Sequence, residues 1–215
     1  MIKINKGIEP KTLTEYRNGK GLYEPFDAKN GEDCENNKKG NLRRQLLEEQ
    51  GYVCCYCLTS IHCYNSVIEH FKAQSKYPEC QLDYKNLFIA CEGGKSTDLQ
   101  CVKKKGNSTL LVINLLKNIE YEIFYKPNGE IYSENSSINI ELENILNLNS
   151  SILISNRQAS FNQFIQNFTK KYKGEWSKKR IEKEIKKYQS KNENGKHAAF
   201  YAMIIFFLKK RLKRM

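Results

Sequence analysis

Cys54-Cys55-Tyr56-Cys57, then Ile68-Glu69-His70, then Asn86, then Cys91 and Cys101 running into Lys103-Lys104-Lys105-Gly106, follow one another within residues 54–106. These residues set the architecture expected of the chain. A structural zinc takes four ligands in a tetrahedron, commonly as two pairs brought together by the fold. Cys54 and Cys57 have the C-x-x-C spacing that lets one tight turn offer both sulfurs to one ion. Cys91 and Cys101 are spaced less regularly, with Gly93-Gly94 and Ser96-Thr97-Asp98 supplying turn chemistry between them. Cys54, Cys57, Cys91 and Cys101 are therefore the expected structural zinc ligands. The competing reading is a set of buried, unliganded thiols.

A disulfide framework is the weaker account of eight cysteines in 215 residues. The opening Met1-Ile2-Lys3-Ile4-Asn5-Lys6 is polar and basic, so the expected setting is a reducing cytoplasm, with Cys34, Cys55, Cys63 and Cys80 as free thiols.

Glu69-His70 lies on the β-prone run Val67-Ile68-Glu69-His70-Phe71, after the turn-like Tyr64-Asn65-Ser66. Adjacent strand residues point to opposite sides, so the dipeptide can serve two surroundings at once. Phosphodiester hydrolysis needs a base for water and a cation for the charged transition state. A neutral imidazole suits the first task, and a hard carboxylate suits Mg²⁺ or Mn²⁺ for the second. Alone, such a dipeptide is more often a hydrogen-bonded surface group; the cysteine frame tips the balance toward a site.

Taken in order, these residues resemble the PtuB family, the HNH endonuclease subunit of Septu-type and retron-associated anti-phage systems. The resemblance runs over nearly the whole chain. It is carried by Met1-Ile-Lys-Ile-Asn-Lys-Gly7, Glu9 to Arg17, Leu46 to Cys54, Ile68-Glu-His-Phe-Lys-Ala-Gln-Ser75, Leu82-Asp-Tyr-Lys-Asn-Leu87, Cys101 to Asn107 and Ile145-Leu-Asn-Leu-Asn149. It implies an α+β fold: an HNH (ββα-metal) core on a four-cysteine zinc scaffold, with His70 as general base. Glu69 would be the acid on a catalytic divalent ion, and Asn86 would hold the loop and orient the histidine. The family's second metal ligand follows the last zinc cysteine, where this chain has Val102; either a nearby group such as Asp98 or Asn107 substitutes, or Glu69, water and phosphate alone hold the metal, or activity is impaired. The implied partner is an ABC-type, PtuA-like ATPase, and the implied substrate is DNA or RNA. The alternative is a zinc-stabilised nucleic-acid-binding or ATPase-docking subunit without catalysis, which Val102 favours.

Net charge is +12. Lys170 to Lys187 holds nine cations against Glu175, Glu182 and Glu184, and Lys209, Lys210, Arg211, Lys213 and Arg214 close the chain. Clustered cations attract phosphate backbones. Lys103, Lys104 and Lys105 are the expected nucleic-acid contacts because the zinc frame sets them beside Glu69-His70. A solvated basic face is the plainer alternative.

Three regions are expected. Residues 1–40 read as an irregular polar arm with breaks at Asn30-Gly31 and Asn37 to Gly40. Residues 41–137 hold a helix over Leu42 to Gln50, capped by Asn41 and stopped by Gly51, then the zinc-framed core, then a hairpin around Pro127-Asn128-Gly129. Residues 138–215 read as helical: Phe161, Phe164, Ile165, Phe168 and Tyr172 repeat at helical spacing, as do Ile181, Ile185 and Tyr188. The apolar run Ala198 to Leu208 is too short to span a bilayer and reads as a buried helix, so no membrane partner is expected.

Overall fold

Helix α1 (Lys11–Asn18) and helix α2 (Asn41–Gln50) precede a turn that carries Cys54 and Cys57. The computed structural model describes residues 1–19, 21, 41–94 and 98–215; Cys34, the expected breaks before Gly40 and the Ser96-Thr97 turn lie outside them. Gly51, at a φ of +67°, ends α2 as expected. Buried Gln50 then ties the end of the helix to the cysteine turn and to the sheet. Its amide donates to the carbonyls of Val53 and Ile89 at 3.0 and 2.8 Å and accepts from the Ile89 N–H at 2.9 Å.

Strands β1 (Ser66–His70) and β2 (Leu87–Cys91) pair antiparallel, with Ser66 opposite Cys91 and His70 opposite Leu87. Both faces of β2 are covered, which its unbroken apolar run Leu87-Phe88-Ile89-Ala90 requires. The short helix α3 (Cys101–Lys105) packs on β2. The expected hairpin is present but brief. β3 (Phe124–Tyr125) pairs with β4 (Ile131–Tyr132), while Ile119–Tyr121 forms a 3₁₀ turn despite its alternating sequence. α4 (Ser136–Ile140) runs into a π turn over Glu141–Ile145. There the buried Glu141 carboxylate accepts the backbone N–H groups of Leu111, Val112 and Ile113, pinning the segment after α3.

The C-terminal helices are α5 (Ser151–Tyr172), α6 (Lys178–Gln189) and α7 (Tyr201–Leu212). Phe164, Phe168, Ile181, Ile185, Ile204 and Leu208 form a core of their own between them. At roughly 1.5–3 kcal/mol per buried apolar side chain, this cluster is what holds three otherwise lysine-rich helices together. No helix among the described residues is long and apolar enough to cross a membrane.

Packing ties the three regions together. Within the irregular arm, Met1, Ile4 and Leu13 are buried in the main core, Ile4 N–H bonds the Leu115 carbonyl at 2.8 Å, and Lys6 Nζ lies 2.7 Å from Glu49 of α2. Ile138, Leu142, Leu146, Leu148 and Leu153 share that core with α2 and β2.

Candidate metal centre and the neighbouring polar site

The turn after α2 is closed by Cys54 N–H to the Thr59 carbonyl at 2.9 Å and Leu58 N–H to the Cys54 carbonyl at 3.1 Å, with Leu58 in the left-handed region. This turn aims Cys54 and Cys57 at the end of β2, where Cys91 sits. The loop from Cys91 to Cys101 folds back at Gly93, whose carbonyl accepts the Gln100 N–H at 2.9 Å. A Cβ on Gly93 would lie 2.3 Å from the Gln100 carbonyl oxygen, so the close approach that returns Cys101 to the cluster needs glycine here.

The result is a group of four sulfurs, Cys54, Cys57, Cys91 and Cys101, all within 4.8 Å of one another, that could hold a metal ion such as zinc. The Cys54–Cys101 and Cys57–Cys91 sulfurs are 4.0 and 3.8 Å apart. Tetrahedral thiolates at ~2.3 Å from a zinc would stand about 3.8 Å from each other, so the cluster already has the right size. Burial opposes a thiolate at Cys54, but hydrogen bonds with Cys101, Cys55, Cys57 and Cys91 outweigh it and hold its thiol well below its ordinary range. Cys55 is not one of the four, and burial pushes its thiol up. Cys55 and Cys80 are free thiols as expected, whereas Cys63 is disulfide-bonded, which departs from the expected free thiol.

At the other end of the β1–β2 ladder, roughly 13 Å away at ~3.3 Å per residue, are the polar residues. Asn86 is buried and holds the connection between the strands. Its side-chain oxygen accepts the Lys72 N–H at 2.7 Å, and its amide donates to the carbonyls of Lys72 and Cys80, each at 3.1 Å. That staple sets the Gln81 carbonyl, which lies 3.0 Å from His70 Nε2. A carbonyl only accepts, so Nε2 is the donor in this contact; in the neutral ring Nδ1 would then hold the lone pair that a general base needs. His70 is half-buried, and a cavity of about 180 Å³ lies against the same loop, lined in part by Phe71, Lys72, Lys85 and Asn86.

Glu69 faces inward, opposite in direction to His70, as strand alternation demands. Its side chain is 6% exposed, and one oxygen receives both the Lys105 ammonium and the Tyr56 hydroxyl, each at 2.8 Å. Burial pushes the Glu69 carboxyl up, with Lys105 and Tyr56 opposing that rise. Lys105 Nζ also donates to the His70 carbonyl at 3.1 Å. Lys105 is thus buried inside the protein, which removes it from the expected set of phosphate contacts; Lys103 and Lys104 remain exposed.

The residues present do not fit a divalent ion on Glu69. An ammonium and a hydroxyl already share one oxygen of this buried carboxylate, and Val102 supplies no donor. Asp98 is engaged by Asn147 and Ser151 at 3.2 and 3.1 Å, and Asn107 is exposed. Among the described residues, the four cysteines are the only grouping of three or more candidate metal ligands. Tyr56 and Lys105 as partners of Glu69, and Gln81 as partner of His70, escape sequence reasoning. A tyrosine between two ligand cysteines and a lysine in a lysine run carry no local sign of such roles. A scan against protein-family models and a search of curated proteins each return no match to this chain.

Proposed function

We propose that the chain is a zinc-scaffolded HNH-type endonuclease acting on nucleic-acid phosphodiester bonds, with His70 as the general base. The observation that carries this reading is the joint placement of His70 and Asn86. The histidine ends a strand with Nε2 on the Gln81 carbonyl, and the asparagine fixes the loop that carries that carbonyl. The antiparallel pair followed by α3, whose first residue is the last metal-ligand cysteine, supports a ββα arrangement. Bound zinc would hold the turn, β2 and α3 in one register. His70 would then accept a proton from water, and the exposed Lys72 and Lys85 beside the adjacent cavity would attract the phosphate.

The resemblance to the PtuB family supplies the rest of the proposal: an ABC-type ATPase partner and a role in anti-phage defence. A specific observation favours a second reading, a non-catalytic zinc-stabilised nucleic-acid-binding or ATPase-docking subunit. It is the closed Glu69–Lys105 pair together with Val102, with no group of three or more candidate metal ligands beside His70 among the described residues. A plasmid-nicking assay separates the two, run with Mg²⁺, with Mn²⁺ and with neither, on wild type and His70→Ala. Cleavage by wild type that falls about 10²-fold or more in His70→Ala supports the nuclease. No cleavage under any condition, or equal cleavage by both proteins, sinks it.

A further inference from the structure

The charge of this protein is segregated completely. Residues 170–215 contain sixteen lysines and arginines against four glutamates, while residues 1–169 contain twenty of each sign, so the C-terminal segment carries the whole +12. Fifteen of those sixteen cations are exposed, and the remaining one, Arg180, is half-buried. Folding then concentrates them further. The end of α5, the turn into α6 and the end of α7 meet around Trp176. The Trp176 ring stacks on Phe168 at 3.9 Å, and the Arg211 guanidinium lies 4.6 Å over it. Two cationic runs far apart in sequence, 170–180 and 209–214, thereby form one pole. The two runs hold eleven cations and one acid, Glu175, which is paired with Arg180 at 2.5 Å, and Glu184 of α6 reaches Lys171 at 2.6 Å.

Within the pole, a groove of about 520 Å³ has Phe161, Phe164 and Trp176 in its floor and Lys210, Arg211 and Arg214 on its rim, with no acidic residue lining it. So large an excess of one sign at one end of a small protein makes a strong attractive field for an extended polyanion. Base stacking is disfavoured as the mode, because Phe168 and Arg211 already cover Trp176. We propose that this pole, and not the Lys103-Lys104-Lys105 run, is the principal nucleic-acid surface, gripping the phosphate backbone without reading bases. The identity of the polyanion as nucleic acid rests on the nuclease reading; the location of the surface rests on the charge and the packing.

The test is fluorescence anisotropy of a short labelled DNA duplex titrated with the full-length protein across a salt series. Emission of Trp176, the sole tryptophan, gives a second readout at the pole itself. Lys179→Gln/Lys210→Gln/Arg214→Gln changes only exposed side chains and should keep the wild-type circular dichroism spectrum. Its affinity should fall about tenfold or more, and the slope of log K against log salt should flatten by roughly 0.9 for each phosphate the variant no longer neutralises. Lys103→Gln/Lys104→Gln should lose less. A pole variant that binds like wild type, or the reverse ranking of the two variants, overturns the proposal. So does competition by poly-glutamate or by anionic phospholipid vesicles as effective as that of unlabelled duplex, which would assign the pole to an acidic protein or to a membrane surface. Cleavage is scored separately: binding lost with the pole in a protein that never cuts leaves this surface standing and removes the nuclease. Cutting that survives while the pole variant binds normally does the opposite.

Discussion

Lys105 is held between Glu69 and the His70 carbonyl with almost no exposure, while Tyr56 bonds the same Glu69 oxygen. Removing one member of a buried pair leaves the other charge uncompensated, whereas removing both can be close to neutral. Lys105→Met should therefore cost about 3–5 kcal/mol in urea unfolding, and Glu69→Gln/Lys105→Met should recover most of that loss. If the double variant is as unstable as the single one, the pair is not the source of the cost. Asn86 makes a different kind of contribution. Asn86→Ala strands the Lys72 N–H and two carbonyls, each costing about 1–3 kcal/mol if it stays buried and unbonded. It should lower cleavage along with His70→Ala while leaving metal content intact, because it acts on the histidine through the loop. Unchanged cleavage in Asn86→Ala would remove it from the positioning role.

The cysteine turn, β1, β2 and α3 depend on one another more than on any propensity of their own. α3 has only five residues, far below the length at which a helix persists in water. It stays folded because Cys101 anchors its start in the sulfur cluster and Lys105 anchors its end on Glu69. One zinc per chain is expected by elemental analysis. Apparent binding free energies for structural zinc are about 10–16 kcal/mol, so a strong chelator should unfold these elements as the ion leaves, followed by loss of ordered circular dichroism. Soluble, folded protein purified with no zinc would end this assignment. α5, α6 and α7 have their own apolar cluster, and their signal should persist longer during chelation than that of the zinc-held part.

The whole molecule joins a body with balanced charge to a helical unit carrying the entire excess. Association driven by that excess should be fast, unselective and steeply salt-dependent. Target choice would then come from elsewhere, and the proposed ATPase partner is the candidate. Co-purification of the chain with a neighbouring ABC-type ATPase is the expected result, with nuclease output that changes when the ATPase binds or hydrolyses nucleotide. Absence of association, or sequence-specific and salt-insensitive binding by the lone chain, would contradict this arrangement.

Local patterns in the sequence determined a good deal: the four cysteines as one group, β1 over the Glu69-His70 run, α2 stopped by Gly51, the hairpin at Gly129 and the three C-terminal helices. Each rests on spacing, turn chemistry or periodicity that neighbouring residues set among themselves. The burial of Met1, Ile4 and Leu13 was less legible, because isolated apolar residues in a polar stretch do not reveal a partner surface. Tertiary packing alone turns Lys105 inward while Lys103 and Lys104 stay outside, brings Tyr56 and Lys105 together on Glu69, and joins two distant basic runs at Trp176. The physical reason is the same in each case. A charged or aromatic side chain takes its role from what the fold brings against it. Glu69 stands 13 positions from Tyr56, and Lys105 stands 35 from His70, separations that leave no local trace of either contact.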